Sequence, residues 1–378
     1  MKIVYIYTAL LTVGGADRVI TEKANYFAEK CNYDVYIITD SQLNRPPVFP
    51  LSPKVTHIDL GINFGQQYKY SILKRAFVYF KLMRIYKKKV EICLKQIKPD
   101  YVFSTLGRDA DFIATVKDGS KKIAEAHVAK KYIRNLHLVE QKSFLQKQIA
   151  KLWRKKLNHA VGKFDALVVL TSEDAKSWSH AKRIAIIPNS LPFYPDESSS
   201  TNNKTAISIG RLNEQKGFDR LIEAWELVYK KHPDWNIHIY GEGELKDKLE
   251  TLIHEKQLGN VFFIEKAVNN ITDKYLNSSI YVMSSRFEGF GMVLIEAMAC
   301  GVPCVSFDCP HGPSDIIKDK EDGFLVKNGD TTELAHKICT LIEDAELRKT
   351  MGGKAKQNIK RYSVDIVMKQ WVDFLNTI

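Results

Sequence analysis

The sequence predicts an α/β protein of two doubly wound parallel-sheet domains facing each other across a cleft. Three observations carry that expectation. Short, nearly continuous apolar runs alternate with amphipathic helical stretches, the pattern of parallel strands covered on both faces by crossover helices. The stretch Leu191–Asn203, with Pro192 and Pro195 followed by a polar run, breaks the alternation and reads as a linker. The chain, at 378 residues, is long enough for two separate cores.

In chain order, a buried strand is expected at Lys2–Tyr7. The apolar residues after Lys2 imitate a short secretory signal, but the basic region is one residue. Gly14-Gly15 then opens a helical pattern over Asp17–Lys30, so a strand ending in a glycine turn is the better reading. Further strands are expected at Asp34–Thr39, Tyr101–Ser104, Lys122–Ala126 and Ala166–Leu170. After the linker come Ala206–Ile209, Asn236–Tyr240, Val261–Phe263, Ile280–Met283 and Cys304–Phe307. Helices are expected at Phe218–Lys231, Glu244–Lys256 and Thr332–Asp344, with a last one near Ser363–Phe374 packing back on the first domain. The expected boundaries are 1–190, linker 191–204, 205–360, and a C-terminal helix in 361–378.

Hydrophobic content of 45% and charged content of 26% belong to a soluble globular chain. No apolar run reaches membrane-spanning length. Six scattered cysteines form no disulfide framework or zinc spacing and suit reduced thiols in a cytosol. Charge is divided unevenly. Residues 1–190 hold 33 Lys and Arg against 16 Asp and Glu, whereas 191–378 hold 23 against 28. Within 65–98, ten basic residues face one acid and are interleaved with Tyr68, Tyr70, Phe77, Tyr79, Phe80 and Tyr86. Residues 117–163 carry thirteen basic against three acidic. Such faces read as attraction to an anionic surface, with a solvated lysine-rich helix face as the alternative. No DNA- or RNA-binding motif is present, so no nucleic-acid partner is expected.

The chemistry concentrates on strand-to-helix loops, where open α/β sheets bind ligands. Gly15 opens the first helix and leaves room for an anion, although Gly14-Gly15 does not complete a dinucleotide fingerprint. Gly210-Arg-Leu-Asn-Glu-Gln-Lys-Gly217 sets Arg211 and Lys216 on one short loop, where two cations can neutralise a diphosphate without a metal. In Glu288-Gly-Phe-Gly-Met-Val-Leu-Ile-Glu296, two carboxylates flank a glycine turn. Phe290, Gly291, Met292 and Val293 stand at the helix start, where unpaired N–H groups favour phosphate. Glu288 and Glu296 suit hydroxyls on either side of that phosphate. Asp109-Ala-Asp111 is formally a D-x-D metal–diphosphate motif, but it follows Gly107 at an expected helix start, where acids favour the dipole. Neither a metal nor another cofactor is expected.

Gly14-Gly15, Gly210 through Gly217, Gly241-Glu-Gly243 and Glu288 through Pro303 make the chain resemble the family-4 retaining glycosyltransferases of the GT-B fold over nearly its full length. The fold implied is two Rossmann-like domains. The resemblance implies that Arg211 and Lys216 bind the donor diphosphate, Glu296 the ribose and Glu288 the transferred sugar. It places His127, in Ala-Glu-Ala-His, at the end of a strand facing that sugar. Lys266-Ala267 departs from the family, which often has glycine there, and leaves base contacts open. Cys309-Pro-His-Gly-Pro-Ser-Asp315 resembles a loop of bacterial surface-polysaccharide enzymes.

The expected activity is transfer of a hexose or N-acetylhexosamine from a UDP-sugar to a lipid-linked glycan in lipopolysaccharide, capsule or related synthesis. The expected partners are that donor, the lipid-linked saccharide and an anionic membrane surface, with the protein peripheral on the inner face of the cell membrane. Alternatives are a nucleotide-sugar epimerase or phosphorylase on the same fold, and more distantly a non-enzymatic binder of anionic lipid or nucleic acid.

Overall fold

Apolar strands form two separate parallel sheets in a computed structural model that describes residues 1–12, 14–135, 144–268 and 270–378. The part of the basic 117–163 stretch at 136–143 lies outside the described residues. Contacts divide the chain into Met1–Ile187 with Met368–Ile378, and Pro188–Val367.

The first unit contains β1 (Lys2–Tyr7), β2 (Asp34–Thr39), β3 (Val55–Asp59), β4 (Tyr101–Ser104), β5 (Lys121–Ala126), β6 (Ala166–Val169) and β7 (Ile184–Ile186), ordered β3-β2-β1-β4-β5-β6-β7. Register starts Lys2 against Asp34 and Ile3 against Tyr101. β1 and β6 bury nearly every side chain, as strands covered on both faces must. Helix Ile72–Ile97 crosses from β3 to β4 and buries Leu82, Tyr86, Val90, Leu94 and Ile97, spaced by one helical turn. Its Tyr86 meets Phe64 and Phe112 edge-on, at 5.7 and 5.3 Å.

The second unit contains β8 (Thr205–Ile209), β9 (Asn236–Tyr240), β10 (Phe262–Glu265), β11 (Ile280–Met283), β12 (Cys304–Asp308) and β13 (Gly323–Lys327), ordered β10-β9-β8-β11-β12-β13. The order is that of the first unit without its seventh strand, and is the Rossmann arrangement. Helix Phe218–Lys231 buries Phe218, Leu221, Ile222, Trp225 and Val228 along one stripe. Each such large side chain contributes about 1.5–3 kcal/mol by leaving water.

The ten expected strands are present within one or two residues of their expected ends. β3, β7 and β13 were not expected. β7 is three residues long and largely exposed, and β3 is only partly buried, so neither makes an apolar run in sequence. β13 is short and starts with glycine. The segment after Ile187 lies along the second unit, with Leu191 N–H donating to Tyr362 O and Ser199 N–H to Cys300 O. Helix Val364–Asn376 carries Trp371 onto Phe103, with ring centroids 5.8 Å apart, and Tyr101 Oη donates to Leu375 O at 2.7 Å. All six cysteines are free thiols. Among the described residues no helix is long and apolar enough to cross a membrane.

Candidate active site

In each sheet the strand order reverses between its first and fourth strands, and the loops at their carboxyl ends diverge to opposite faces, leaving a crevice. In the second unit these strands are β8 and β11. The Gly210–Gly217 loop leaves β8 and the Ser284–Gly291 segment leaves β11, so the fold brings together stretches about seventy residues apart.

The two loops are fastened to each other. Arg286 N–H donates to Gln215 O at 2.7 Å, Gln215 Nε2 to Phe287 O at 3.1 Å, and Ser284 Oγ to Lys216 O at 3.0 Å. Arg286 also grips Asp219 through both guanidinium nitrogens, at 2.8 and 2.5 Å. Burial opposes ionisation of Asp219, but the Arg286 hydrogen bonds and charge outweigh it and hold the carboxyl below its ordinary range. Asn213 caps the short turn Glu214–Lys216 by accepting from Lys216 N–H at 3.3 Å. Gly217 has φ +63°, and a Cβ there would lie 2.2 Å from Ser284 O, so only glycine allows this approach.

Lys216 Nζ lies 2.7 Å from Glu288 Oε1, and the same oxygen accepts from Ser285 Oγ at 2.7 Å. The expected phosphate ligand and the expected sugar ligand therefore contact each other directly. Arg211 is exposed and makes no ion pair with a carboxylate among the described residues. Glu288 N–H donates to Pro310 O at 3.1 Å, which joins the segment to the Cys309–Asp315 loop. Gly312, at φ +120°, lets that loop lie directly on Phe290, since a Cβ would meet Phe290 O at 1.8 Å. Phe290 is buried against Tyr362, so its side chain is a packing element and only its backbone faces the turn.

Gly291 precedes helix Met292–Ala299, whose first N–H groups, including those of Met292 and Val293, have no acceptor within the helix. Glu296 sits one turn inside it, 8% exposed, with Oε2 accepting from Tyr275 Oη at 3.1 Å. Burial, then the Glu296 charge, push the Tyr275 phenol well above its ordinary pKa, so it stays a donor to that carboxylate. Tyr281 on β11, fully buried with its hydroxyl unpartnered, feels both Glu288 and Glu296. Ser285, Tyr275, Tyr281 and the Arg286–Asp219 pair were not singled out from sequence. Only the neighbourhood of Ser285 to Glu288 could have drawn attention to it.

Gly15 and His127 belong to the first unit. Gly15 is the first residue of helix Gly15–Glu29, as expected. Its first turn already holds a carboxylate: Asp17 accepts from Tyr7 Oη at 2.7 Å and Thr12 N–H at 2.8 Å. His127 follows the last residue of β5, with Nε2 3.0 Å from Glu125 Oε2. The two D-x-D carboxylates diverge. Asp109 is buried with one oxygen unpartnered, while Asp111 pairs with Arg134 at 3.1 Å and Lys156 at 2.5 Å. No group of three or more His, Cys, Asp or Glu side chains is arranged to hold a metal among the described residues.

The fold recurs in solved proteins. S. aureus TarM, a mutant form of which was crystallised with fondaparinux, alpha-GlcNAc-glycerol and UDP, superposes with a TM-score of 0.78 at 18% identity over 99% of each chain. The architecture is GT-B. An uncharacterized glycosyltransferase of Haemophilus influenzae is 29% identical over 99% of both chains. A Campylobacter jejuni alpha-1,4-N-acetyl-D-galactosaminyltransferase, whose name carries a PP-undecaprenol-linked saccharide, is 27% identical over 99% of this chain and 98% of its own. The chain thus has the GT-B fold and is similar over its full length to glycosyltransferases. More narrowly, residues 193–358 match the family described as glycosyl transferases group 1.

Proposed function

We propose that the protein is a retaining glycosyltransferase that moves a hexose or N-acetylhexosamine from a UDP-sugar to a lipid-linked glycan of a cell-surface polysaccharide. The observation that carries the reading is the convergence of the Arg211–Lys216 loop with Glu288 and the Gly291 helix start at the second sheet's strand-order reversal. Arg211, Lys216 and the N–H groups of Gly291, Met292 and Val293 bind the donor diphosphate and stabilise charge growing on it as the sugar departs. Two side-chain cations beside a helix N-terminus do this without a metal. Glu288 holds hydroxyls of the transferred sugar, and Glu296 holds the ribose diol. The family resemblance assigns Gly15 to the donor and His127 to the sugar, and the proposal keeps both roles.

Neither Glu288 nor Glu296 is placed as a free nucleophile, because Glu288 is engaged by Lys216 and Ser285 and Glu296 by Tyr275. The reading is front-face displacement: the glycosidic C–O bond to the diphosphate breaks and the acceptor oxygen bonds to the same face. The acceptor proton passes to a departing phosphate oxygen. A panel of UDP-, GDP- and ADP-sugars in thermal-shift and transfer assays tests this. Retention with a UDP-sugar is expected. Product formed from the UDP-sugar alone would show epimerisation, and dependence on phosphate would show phosphorolysis.

The acceptor's lipid points to an anionic membrane surface as the working site. Helix Ile72–Ile97 supports this with Phe77 and Phe80, 73% and 67% exposed, followed by exposed Lys81, Arg84, Lys87 and Lys88. Large apolar rings with a following row of cations suit insertion at a negatively charged headgroup layer. Flotation with anionic liposomes should weaken as salt rises and fall further in F77S/F80S. Equal binding to neutral liposomes would sink the electrostatic part.

A further inference from the structure

Part of the basic 117–163 stretch encloses a pocket that the donor-side residues do not use. A cavity of about 420 Å³ lies within the first unit, lined by Lys151, Arg154, Lys155, Asn158 and His159 of helix Phe144–Val161 and by His180. The helical members recur at spacings of three and four, so they share one face. Backbone packing seats His180 beside them: a Cβ on Gly162 would lie 3.1 Å from His180 O. The turn before His180 is anchored by buried Trp178, whose Nε1 donates to Asp174 Oδ2 at 3.0 Å.

Among the described residues no carboxylate lines this pocket, and Lys151 and Lys155 make no ion pair. Their neighbour Lys156 does, reaching Asp111 at 2.5 Å. Arg154 donates to Lys131 O at 3.3 Å, which ties it to the segment after β5. Cations complement a helix C-terminus only within its last turn, which accounts for His159 and not for Lys151, Arg154 or Lys155. Like charges three and four positions apart repel, so the helix alone gains nothing from this arrangement. An anion in the pocket would relieve the repulsion. Guanidinium and ammonium groups together match the several oxygens of a phosphate better than the two of a carboxylate. Exposed Ile149, Leu152 and Trp153 lie on the same helix beside the cationic face, an apolar margin for a phosphate that arrives on a lipid.

We propose that this pocket is a second anion site, which binds a phosphate group borne either by a lipid headgroup or by a soluble diphosphate. It does not rest on the donor site, whose loops belong to the other unit.

The test uses the full chain carrying R211A/K216A, so that the donor loop does not compete, and titrates it calorimetrically with inorganic diphosphate. Adding K151Q/K155Q should weaken binding by about 10–100-fold. Adding K349Q/K354Q instead, which removes the same charge from exposed positions of the second unit, should change it by less than about twofold. If the Tm of K151Q/K155Q falls, H180A, which leaves the helix intact, is read in its place with the same direction expected. Equal losses in the two lysine pairs, or no binding by the folded protein, would overturn the proposal. Flotation of otherwise wild-type chains with phosphatidylcholine vesicles containing phosphatidic acid separates the sources. A drop confined to K151Q/K155Q, and reproduced by adding diphosphate to the wild type, assigns the lipid headgroup. Diphosphate binding lost in K151Q/K155Q, with flotation equal in the two lysine pairs, assigns the soluble ion.

Discussion

The two units share one strand order but use its reversal point differently. In the second, the loops after β8 and β11 carry glycines, the cations Arg211, Lys216 and Arg286, and Glu288, and their hydrogen bonds tie loop to loop. In the first, the equivalent crevice after β1 and β4 is occupied by the protein's own charges. Asp17 fills the helix start, Arg108 Nη1 lies 3.7 Å from buried Asp40, and Asp109 is enclosed beside them. Burial above all pushes both Asp40 and Asp109 up to about 6. A common scaffold thus gives one crevice that joins Lys216 to Glu288 across its two loops and one whose charges pair mainly within the first unit.

The largest effect expected from breaking this contrast is in the first unit's closure. Trp371→Ala removes a buried ring from Phe103 and uncovers Lys23, and should destabilise the protein by about 3–5 kcal/mol. Thermal unfolding followed by tryptophan fluorescence reads this. A Tm within a degree of wild type would mean that the C-terminal residues are not structural there.

In the second unit the loss should be catalytic. Lys216→Ala should lower kcat by about 10²–10³-fold, the usual cost of one preorganised charge stabiliser, with little change in Tm. Full transfer by the folded variant would remove the loop from the site. Gly217→Ala tests the backbone beneath it. With φ at +63° and Ser284 O in the way, a methyl group should cost about 1–3 kcal/mol of stability, measured by urea unfolding. A neutral result would show that the two loops can separate freely.

The smallest effect separates the crevices by pH. Asp109 has a folded pKa above its unfolded value of about 3.9, so its contribution to stability is complete below pH 4 and is lost as pH rises through about 6. Asp109→Asn should therefore stabilise the protein at pH 8 relative to wild type, by on the order of 2 kcal/mol. Near pH 4 the advantage should vanish. Denaturant unfolding at the two pH values checks it, and the same gain at both would mean that the carboxyl is not held protonated.

The loops after β8 and β11 were legible because their chemistry is local: glycine where backbones touch, cations on a short loop, acids at fixed spacing around a turn. The Lys216–Glu288 pair was not, since nothing in sequence says that two residues seventy-two apart share a hydrogen bond. Glu125 was present beside His127 in the motif, yet its ion-pair partner is a lysine one hundred and two residues earlier. β3 and β7 were missed because edge strands are short and half-exposed and leave no apolar run.

Alternation of apolar runs and helices determined by itself that the chain forms parallel α/β sheets, and the loop chemistry marked which strand ends carry the candidate site residues. Strand order, the partners of each buried charge and the return of Trp371 to Lys23 were decided only by tertiary structure. The physical reason is range. Periodicity and turn chemistry act over a few residues and can be read along the chain, whereas an ion pair in a low-dielectric interior depends on whichever distant side chain the fold brings within about 3 Å.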